Sequence, residues 1–454
     1  MSLSRDYAKR RQDLMRQIGD GIAVVPSAPV STRNGDVHYR YRPDSDFYYL
    51  TGFDEPEAVA VLAPGRPSGE FLIFCRERDA TQEMWDGSRA GLAGAVDRFN
   101  ADDAFPIDDL EDILPSLLEN RSKVFCNLGR YPDFDKELLN WLNDVRTRKR
   151  SGITVPGELV DLGYFLHELR LIKKASEVKA MRKAADVSAA AHRRAMLACK
   201  PGMHEFEIEA ELEYEFRRGG AQYPAYPSIV AAGANACVLH YINNRDRLRK
   251  GDLLLIDAGA EVDCYCADIT RTFPISGKFS GRQKAIYEIV LDAQFSAIDQ
   301  AKSGAHFNEP HEAAVRTIAA GLKDLKLLKG SLDSIIERGT YRKYFVHRTS
   351  HWLGMDVHDC GSYTEPSEIG QVSTRQDALT GETIRNRPAR LLRPGMVLTI
   401  EPGIYVRATP EAPEAFHNIG IRIEDDAVVT DAGCELISRG VPVEAAEIEA
   451  LMQA

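Results

Sequence analysis

The sequence predicts an α/β and α+β chain in two domains, a smaller α/β domain followed by a larger one assembled from two related halves. Three observations lead there. The chain has 454 residues, 44% of them hydrophobic and 28% charged, which is enough for two soluble cores. Its first third alternates short apolar runs with helical stretches between Gly and Pro turns, the pattern of an α/β layer. Later, Lys250-Gly-Asp-Leu-Leu-Leu-Ile-Asp257-Ala-Gly259 recurs at a constant offset as Pro394-Gly-Met-Val-Leu-Thr-Ile-Glu401-Pro-Gly403. Two copies of one strand, each ending in an acid, imply a duplicated half-domain about a pseudo-twofold axis.

Residues 4–18 read as an amphipathic helix. Strand-like runs follow at Gly21–Val25, Phe47–Leu50, Ala58–Leu62, Glu70–Phe74 and Lys123–Cys126, with helices over Ile107–Glu119 and Asp133–Arg146. Pro156-Gly157 and the charged run Arg170–Lys174 mark a linker, so the domains are expected at 1–172 and 173–454. A long Ala-rich helix starts at Ser176 and Glu177 and stops before Pro201-Gly202; a second spans Glu205–Arg218 and ends at Gly219-Gly220. A strand pair over 251–273 precedes helices near Gly281–Ser303 and Asn308–Leu325. Residues 361–390 are polar and turn-rich, an exposed excursion suited to a rim or lid.

The net charge of −11 disfavours nucleic acid or an anionic membrane as a partner. No apolar run approaches the ~18–20 residues of a membrane span. The charged N-terminus lacks a signal-peptide core. The eight cysteines form no CxxC pair, and Cys264 and Cys266 alternate on a strand as structural thiols. A cytoplasmic protein is expected.

Asp257 and Asp268 lie on two β-like runs that, as an antiparallel hairpin, could point both acids to one face. Alone, two aspartates at strand ends cap turns as readily as they bind a cation. The second copy, with Glu401 and then Glu424 at the end of Ile419-Gly-Ile-Arg-Ile-Glu424, turns the balance toward metal, because crowded carboxylates repel unless neutralised. Arg422 shares a face with Glu424 by the two-residue period, either orienting it or forming a surface ion pair. Three of the eleven histidines, His347, His351 and His358, fall within one short stretch, and the first two could share a helical face. Four carboxylates and one imidazole suit two divalent ions, with oxygen donors favouring Mn²⁺ over zinc. Such a pair can acidify a water for attack on a carbonyl, with spare histidines to handle protons.

These motifs resemble a known family. Asp257-Ala-Gly-Ala with Asp268-Ile-Thr-Arg-Thr-Phe-Pro, Ser350-His351-Trp-Leu-Gly-Met-Asp-Val-His358-Asp, Pro394-Gly-Met-Val-Leu-Thr-Ile-Glu401-Pro-Gly-Ile-Tyr405 and Gly420-Ile-Arg-Ile-Glu424-Asp are similar to the pita-bread metallopeptidases. The N-terminal Asp46-Phe-Tyr-Tyr-Leu-Thr-Gly-Phe-Asp-Glu-Pro-Glu-Ala-Val resembles aminopeptidase P, the Xaa-Pro aminopeptidases. The resemblance covers essentially the whole chain. It implies a creatinase-like N-terminal α/β domain, serving oligomer contacts and the site rim, before a pita-bread catalytic domain. It makes Asp257, Asp268, His351, Glu401 and Glu424 ligands of a di-manganese centre, with Asp268 and Glu424 bridging. His240 and His358 match histidines that orient substrate and move protons, and His347 a further active-site histidine. Arg422 and Tyr405 match supporting groups, and Trp85 a tryptophan that reaches a neighbouring subunit.

The implied reaction is hydrolysis of the bond between an N-terminal residue and proline by a metal-bridging hydroxide, in a homodimer or homotetramer acting on proline-containing peptides. Glu401 would pass a proton to the leaving prolyl nitrogen. One departure stands out. The stretch from His358 to Glu401 is longer than aminopeptidase P leads one to expect, and Arg387-Pro-Ala-Arg390-Leu-Leu-Arg-Pro-Gly resembles prolidase, where an arginine at the place of Arg387 would hold a dipeptide's carboxylate. Prolidase is therefore the alternative activity. A non-catalytic pita-bread binding protein is the remote one, since it would lack the ligands. Methionine aminopeptidase shares the ligands without this N-terminal domain, and creatinase shares the fold without needing metal.

Overall fold

The computed structural model describes residues 3–368, 370–376 and 383–453. The chain forms two compact units, Met1–Leu169 and Arg170–Ala454.

The first unit is built on a six-stranded mixed sheet in the order Asp103–Pro106, Phe71–Cys75, Val59–Leu62, Ile22–Pro26, Lys123–Cys126 and Glu158–Asp161. Its central strands are buried on both faces, so they read as continuous apolar runs. Ile22, Val24, Val61, Leu72 and Phe74 pack with Leu114 and Leu118 of one helix and Leu138, Trp141 and Val145 of another. The expected strand at Phe47–Leu50 is instead part of the helix Ser45–Thr51. Asp44 caps it by accepting from the Phe47 amide at 2.9 Å, and Gly52 ends it in the left-handed region at φ 68°. Arg10 and Arg11 of the first helix, Leu3–Ile18, donate to the Tyr49 and Leu50 carbonyls, satisfying the helix's C-terminal end. A four-residue apolar run carries no period of its own, and the cap decides it.

In the second unit, two long helix pairs flank small antiparallel sheets. The helices are Ala175–Ala198 and Glu205–Arg218, then Gly281–Ile298 and Glu309–Asp324. One sheet joins Ile229–Ala232, Leu253–Asp257 and Thr270–Pro274, the other Val397–Ile400, Asp425–Val429 and Cys434–Leu436. Asp257 pairs with Thr270, and Ile400 pairs with Asp425. The hairpin is thus antiparallel as expected, but Asp268 precedes its second strand. Cys264 lies in the intervening turn at φ 62° and only Cys266 is on a strand.

Two further expectations need correction or completion. His347 and His351 do not share a helical turn. Residues 349–353 run extended beside the Val397–Ile400 strand: the Leu353, Thr399 and Glu401 amides bond to Val397, His351 and Thr349 carbonyls at 3.1, 3.0 and 2.8 Å. The excursion over 361–390 contains two antiparallel strands, Ser373–Gln376 and Thr383–Asn386, while residues 369 and 377–382 lie outside the described residues. Its foot is closed by main-chain bonds from Glu365 to Pro388 and from Arg390 to Tyr363, around the buried Glu365 carboxylate.

Candidate metal centre

Asp257 ends the Leu253–Asp257 strand, and its two oxygens accept from the Tyr226 hydroxyl at 2.6 Å and the Arg422 guanidinium at 2.5 Å. The same hydroxyl lies 2.5 Å from Asp268. A phenol has one proton, so it cannot donate to both carboxylates at once. The second Asp268 oxygen is 3.4 Å from His351 Nε2, which is 3.8 Å from Glu401. Glu424 accepts from the Thr270 hydroxyl at 2.6 Å. Ligand atoms of Asp268, His351 and Glu424 all lie within 4.8 Å of one another.

Burial and mutual repulsion govern the electrostatics. Burial, then Asp268, Glu401 and Asp257, push Glu424 well above the carboxylate range. Burial pushes Glu401 up to about 7, with His351 and Arg422 opposing and Asp268 and Asp257 reinforcing the rise. Burial also raises Asp257, against the pull of Arg422. For Asp268 burial is outweighed by the hydrogen bond and charge of His351, and its carboxyl stays low. His351 is correspondingly lifted to about 9: burial alone would lower it, and Asp268 and Glu401 reverse that. These carboxylates lack enough positive charge to ionise together, which a cation would supply.

The residues fit a metal in a second respect. His351 Nδ1–H donates to the Trp352 carbonyl at 2.9 Å, which turns Nε2 toward Asp268 and Glu401; Nε2 is protonated beside these acids and would give up that proton to a bound cation.

Around this cluster runs a continuous network. Arg422 donates to Asp257, to Thr270 at 3.1 Å and to the Tyr405 hydroxyl at 2.9 Å. Tyr405 in turn donates to His347 Nε2 at 2.8 Å, and His347 Nδ1–H donates to the Arg348 carbonyl at 2.7 Å. Burial, reinforced by Arg422, pushes His347 down to about 3, so its ring is neutral. The His358 ring stands edge-to-face with His351 at 4.5 Å between centroids. Desolvation of its packed face, then the charge of His351, lowers its pKa. His240 is exposed.

The structure thus brings eight of the sequence-selected residues into one bonded cluster: Asp257, Asp268, His351, Glu401, Glu424, Arg422, Tyr405 and His347, the last also 3.7 Å from Glu401. It sets His358 against them. Arg387 is exposed at the foot of the excursion, and Trp85 is exposed in the other compact unit. Sequence reading missed Tyr226 and Thr270. Thr270 had a usable signal, since it opens a strand two residues after Asp268; Tyr226, far upstream, had none.

Comparisons with known proteins point to one family. Residues 179–431 match the model of metallopeptidase family M24, and residues 7–125 that of the aminopeptidase P N-terminal domain. The chain is 40% identical to the Xaa-Pro aminopeptidase of Escherichia coli strain K12, across 99% of this chain and 98% of that one. It is 37% identical to the enzyme of that name from Haemophilus influenzae, across 98% and 97%. Among solved structures, Pseudomonas aeruginosa aminopeptidase PepP superposes with a TM-score of 0.94 at 53% identity, covering 99% of this chain and 98% of that one. With both domains matched in order and nearly every residue covered, the chain belongs to metallopeptidase family M24 and, within it, to the Xaa-Pro aminopeptidase (aminopeptidase P) group.

Proposed function

We propose that the protein removes the N-terminal residue from peptides whose second residue is proline, at a centre held by Asp257, Asp268, His351, Glu401 and Glu424. The observation that carries this is the cluster of four carboxylates around an imidazole whose Nε2 faces them. Two divalent ions there would supply Lewis acidity for the scissile carbonyl and an acidified water as nucleophile. The oxygen-rich donor set favours Mn²⁺, while a zinc-substituted form of the E. coli relative is also among the solved structures.

The chain's own groups do the rest. Hydrolysis of an Xaa-Pro amide consumes one water, whose hydroxyl goes to the acyl carbon and whose proton must reach the prolyl nitrogen as that bond breaks. Glu401, 3.8 Å from His351 Nε2 and 3.7 Å from His347 Nδ1 at the edge of the cluster, is suited to take that proton and return it. Arg422 and Tyr226 hold the Asp257 carboxylate from both sides, and Thr270 holds Glu424. His358 and His240, on the open side, are suited to donate to the carbonyl oxygen as charge develops. His347, kept neutral by burial and tied to Tyr405, orients that wall.

The relatives bear the name Xaa-Pro aminopeptidase, which does not favour prolidase, and Arg387 becomes an exposed arginine with no assigned role in tripeptide cleavage. Met84 and Trp85, 86% and 82% exposed on the short helix Ala80–Asp86, suit a contact between subunits of a homodimer or homotetramer. We infer a cytoplasmic setting, with which the eight cysteines, forming no CxxC pair, are compatible; among the described residues no helix is long and apolar enough to cross a membrane. The test is hydrolysis of an Xaa-Pro-Yaa tripeptide beside an Xaa-Pro dipeptide, after metal is stripped and Mn²⁺ restored. Preferential tripeptide cleavage is expected; preference for the dipeptide would return the reading to prolidase.

A further inference from the structure

The second unit buries a group of charges that the proposed chemistry does not use. Arg170 Nη2 and Lys173 Nζ each lie 2.7 Å from one oxygen of Asp359, and the three side chains are 1–2% exposed. Arg170 also reaches Asp356 at 2.9 Å. Desolvating such ions consumes much of their attraction, so a buried ion group is a weak source of stability and a better means of fixing one geometry.

Its placement says which geometry. Asp359 closes the loop that begins at Trp352: its amide donates to the Trp352 carbonyl at 2.9 Å. His351 immediately precedes that loop and His358 lies within it. Gly354 gives the charges room, since a Cβ there would sit 2.2 Å from Asp359 Oδ2 and 2.9 Å from Lys173 Cε. Lys173 is also held by its main chain, its amide donating to the Gly395 carbonyl at 2.8 Å. Gly395 has φ +88°, and a Cβ there would meet the Lys173 carbonyl at 2.9 Å. That turn opens the Val397–Ile400 strand, which delivers Glu401. One residue therefore grips the histidine loop with its side chain and the glutamate strand with its backbone.

We propose that Lys173, with Arg170 and Asp359, is a positioning clamp that fixes the His351–His358 loop against the strand bearing Glu401, so that imidazole and carboxylate are preset for the same cation. The clamp rests on the metal reading of the centre. It touches neither substrate nor metal and acts only through the loop and the strand it joins, as outer-shell partners of metal ligands do.

The test is Mn²⁺ titration of the stripped protein by calorimetry, with thermal melting and tripeptide kinetics alongside. Lys173→Met keeps the aliphatic stem and removes the charge. It is expected to weaken Mn²⁺ binding ~10–100-fold. At limiting Mn²⁺, kcat is expected to fall while KM stays within roughly threefold. Lys173→Arg should recover most of the affinity. Asp359→Asn, nearly isosteric, serves the same purpose should Lys173→Met fail to fold. Ile318→Val, in the core of the Glu309–Asp324 helix, supplies a destabilised control expected to keep parental affinity. Unchanged affinity in Lys173→Met or Asp359→Asn overturns the clamp, as does an affinity loss that Ile318→Val reproduces for the same loss of Tm. A parent protein that binds no Mn²⁺ would instead overturn the metal reading, and that outcome is visible before any substitution.

Discussion

In the first strand pair of the catalytic unit Asp257 stands opposite Thr270, whereas in the second the pairing of Ile400 with Asp425 carries Glu401 and Glu424 to the next facing positions. Laid on one another, the two registers match Thr270 with Glu424, and Asp268 with Arg422. Both halves keep the backbone and the first acid. They differ in what faces it, and the differences are complementary: Thr270 of the first half donates to Glu424 of the second, and Arg422 of the second donates to Asp257 of the first. Even the outer helices divide the work in parallel. His192 lies 2.9 Å from the Ala258 carbonyl, and Gln294 donates to the Ile400 carbonyl at 3.2 Å. Diverged copies of one strand pair can thus build a single centre that neither could build alone. Four carboxylates in identical halves would only repel, whereas here each half supplies donors to the other's acids.

This comparison breaks most sharply at Asp268, the acid that the second half lacks. Asp268→Ala is expected to abolish bound metal and turnover, exceeding the ~10–100-fold cost of losing an outer-shell partner. Metal analysis beside tripeptide kinetics checks it, and full metal content would contradict the assignment.

Next come the exchanged donors. Thr270→Val removes the hydroxyl from Glu424 at nearly constant volume, and Tyr226→Phe removes the one shared by Asp257 and Asp268. Each should weaken Mn²⁺ binding ~10–100-fold while leaving the fold intact. Calorimetry reads the effect. A loss confined to KM would indicate that these groups meet substrate rather than brace ligands.

A smaller effect concerns pH. Glu401 is pushed up to about 7, and Asp257 and Glu424 are also raised. A carboxyl whose folded pKa exceeds its unfolded one stabilises the fold below the unfolded value, and that contribution is lost as pH rises through the folded value. The buried His192, His311 and His347, lowered to about 4, 4 and 3, act the other way only where the unfolded imidazole protonates, so above ~pH 7 the carboxyls decide: the metal-free protein should melt lower at ~pH 8.5 than at ~pH 7, and Mn²⁺ should remove most of the difference. Mn²⁺ binding should release protons near pH 7, seen as a heat that varies with the buffer's ionisation enthalpy. Binding heats independent of buffer would contradict the electrostatic account.

The smallest effect is expected at Ser188, on the Ala175–Ala198 helix behind the first pair. Its hydroxyl accepts from the Ala260 amide at 2.9 Å. Ser188→Ala leaves a buried amide unpaired and should cost ~1–3 kcal/mol of stability. Metal content and kcat should stay near parental, because the Asp257 carboxylate keeps both of its donors. A chemical denaturation curve and a metal assay separate the two.

Much of the centre was legible because acids interrupting apolar strands have few bland explanations. Asp257 and Glu401 stand at the same step of a repeated motif, and the histidine-rich stretch carried the one imidazole, His351, that lies among the acids. What stayed hidden depended on contacts across long sequence distances. Tyr226 meets Asp257 and Asp268 only after the chain folds back, and Lys173 reaches Asp359 across most of the catalytic unit. The extended run at 349–353 reads as loop because its partner strand lies beyond the excursion. In the N-terminal unit, the Ser45–Thr51 helix went unread for a local reason: Asp44 is a cap signal, but the short apolar run after it fits either period.

In the proposed centre the two halves jointly hold a pair of divalent ions that the reaction needs. Equilibrium titration of the stripped protein with Mn²⁺, monitored by calorimetry and by tripeptide cleavage in the same samples, tests it most directly. Binding is expected to saturate at two ions per chain, with cleavage absent before addition and rising with occupancy. Undiminished cleavage by fully stripped protein, or saturation without bound metal, would contradict it.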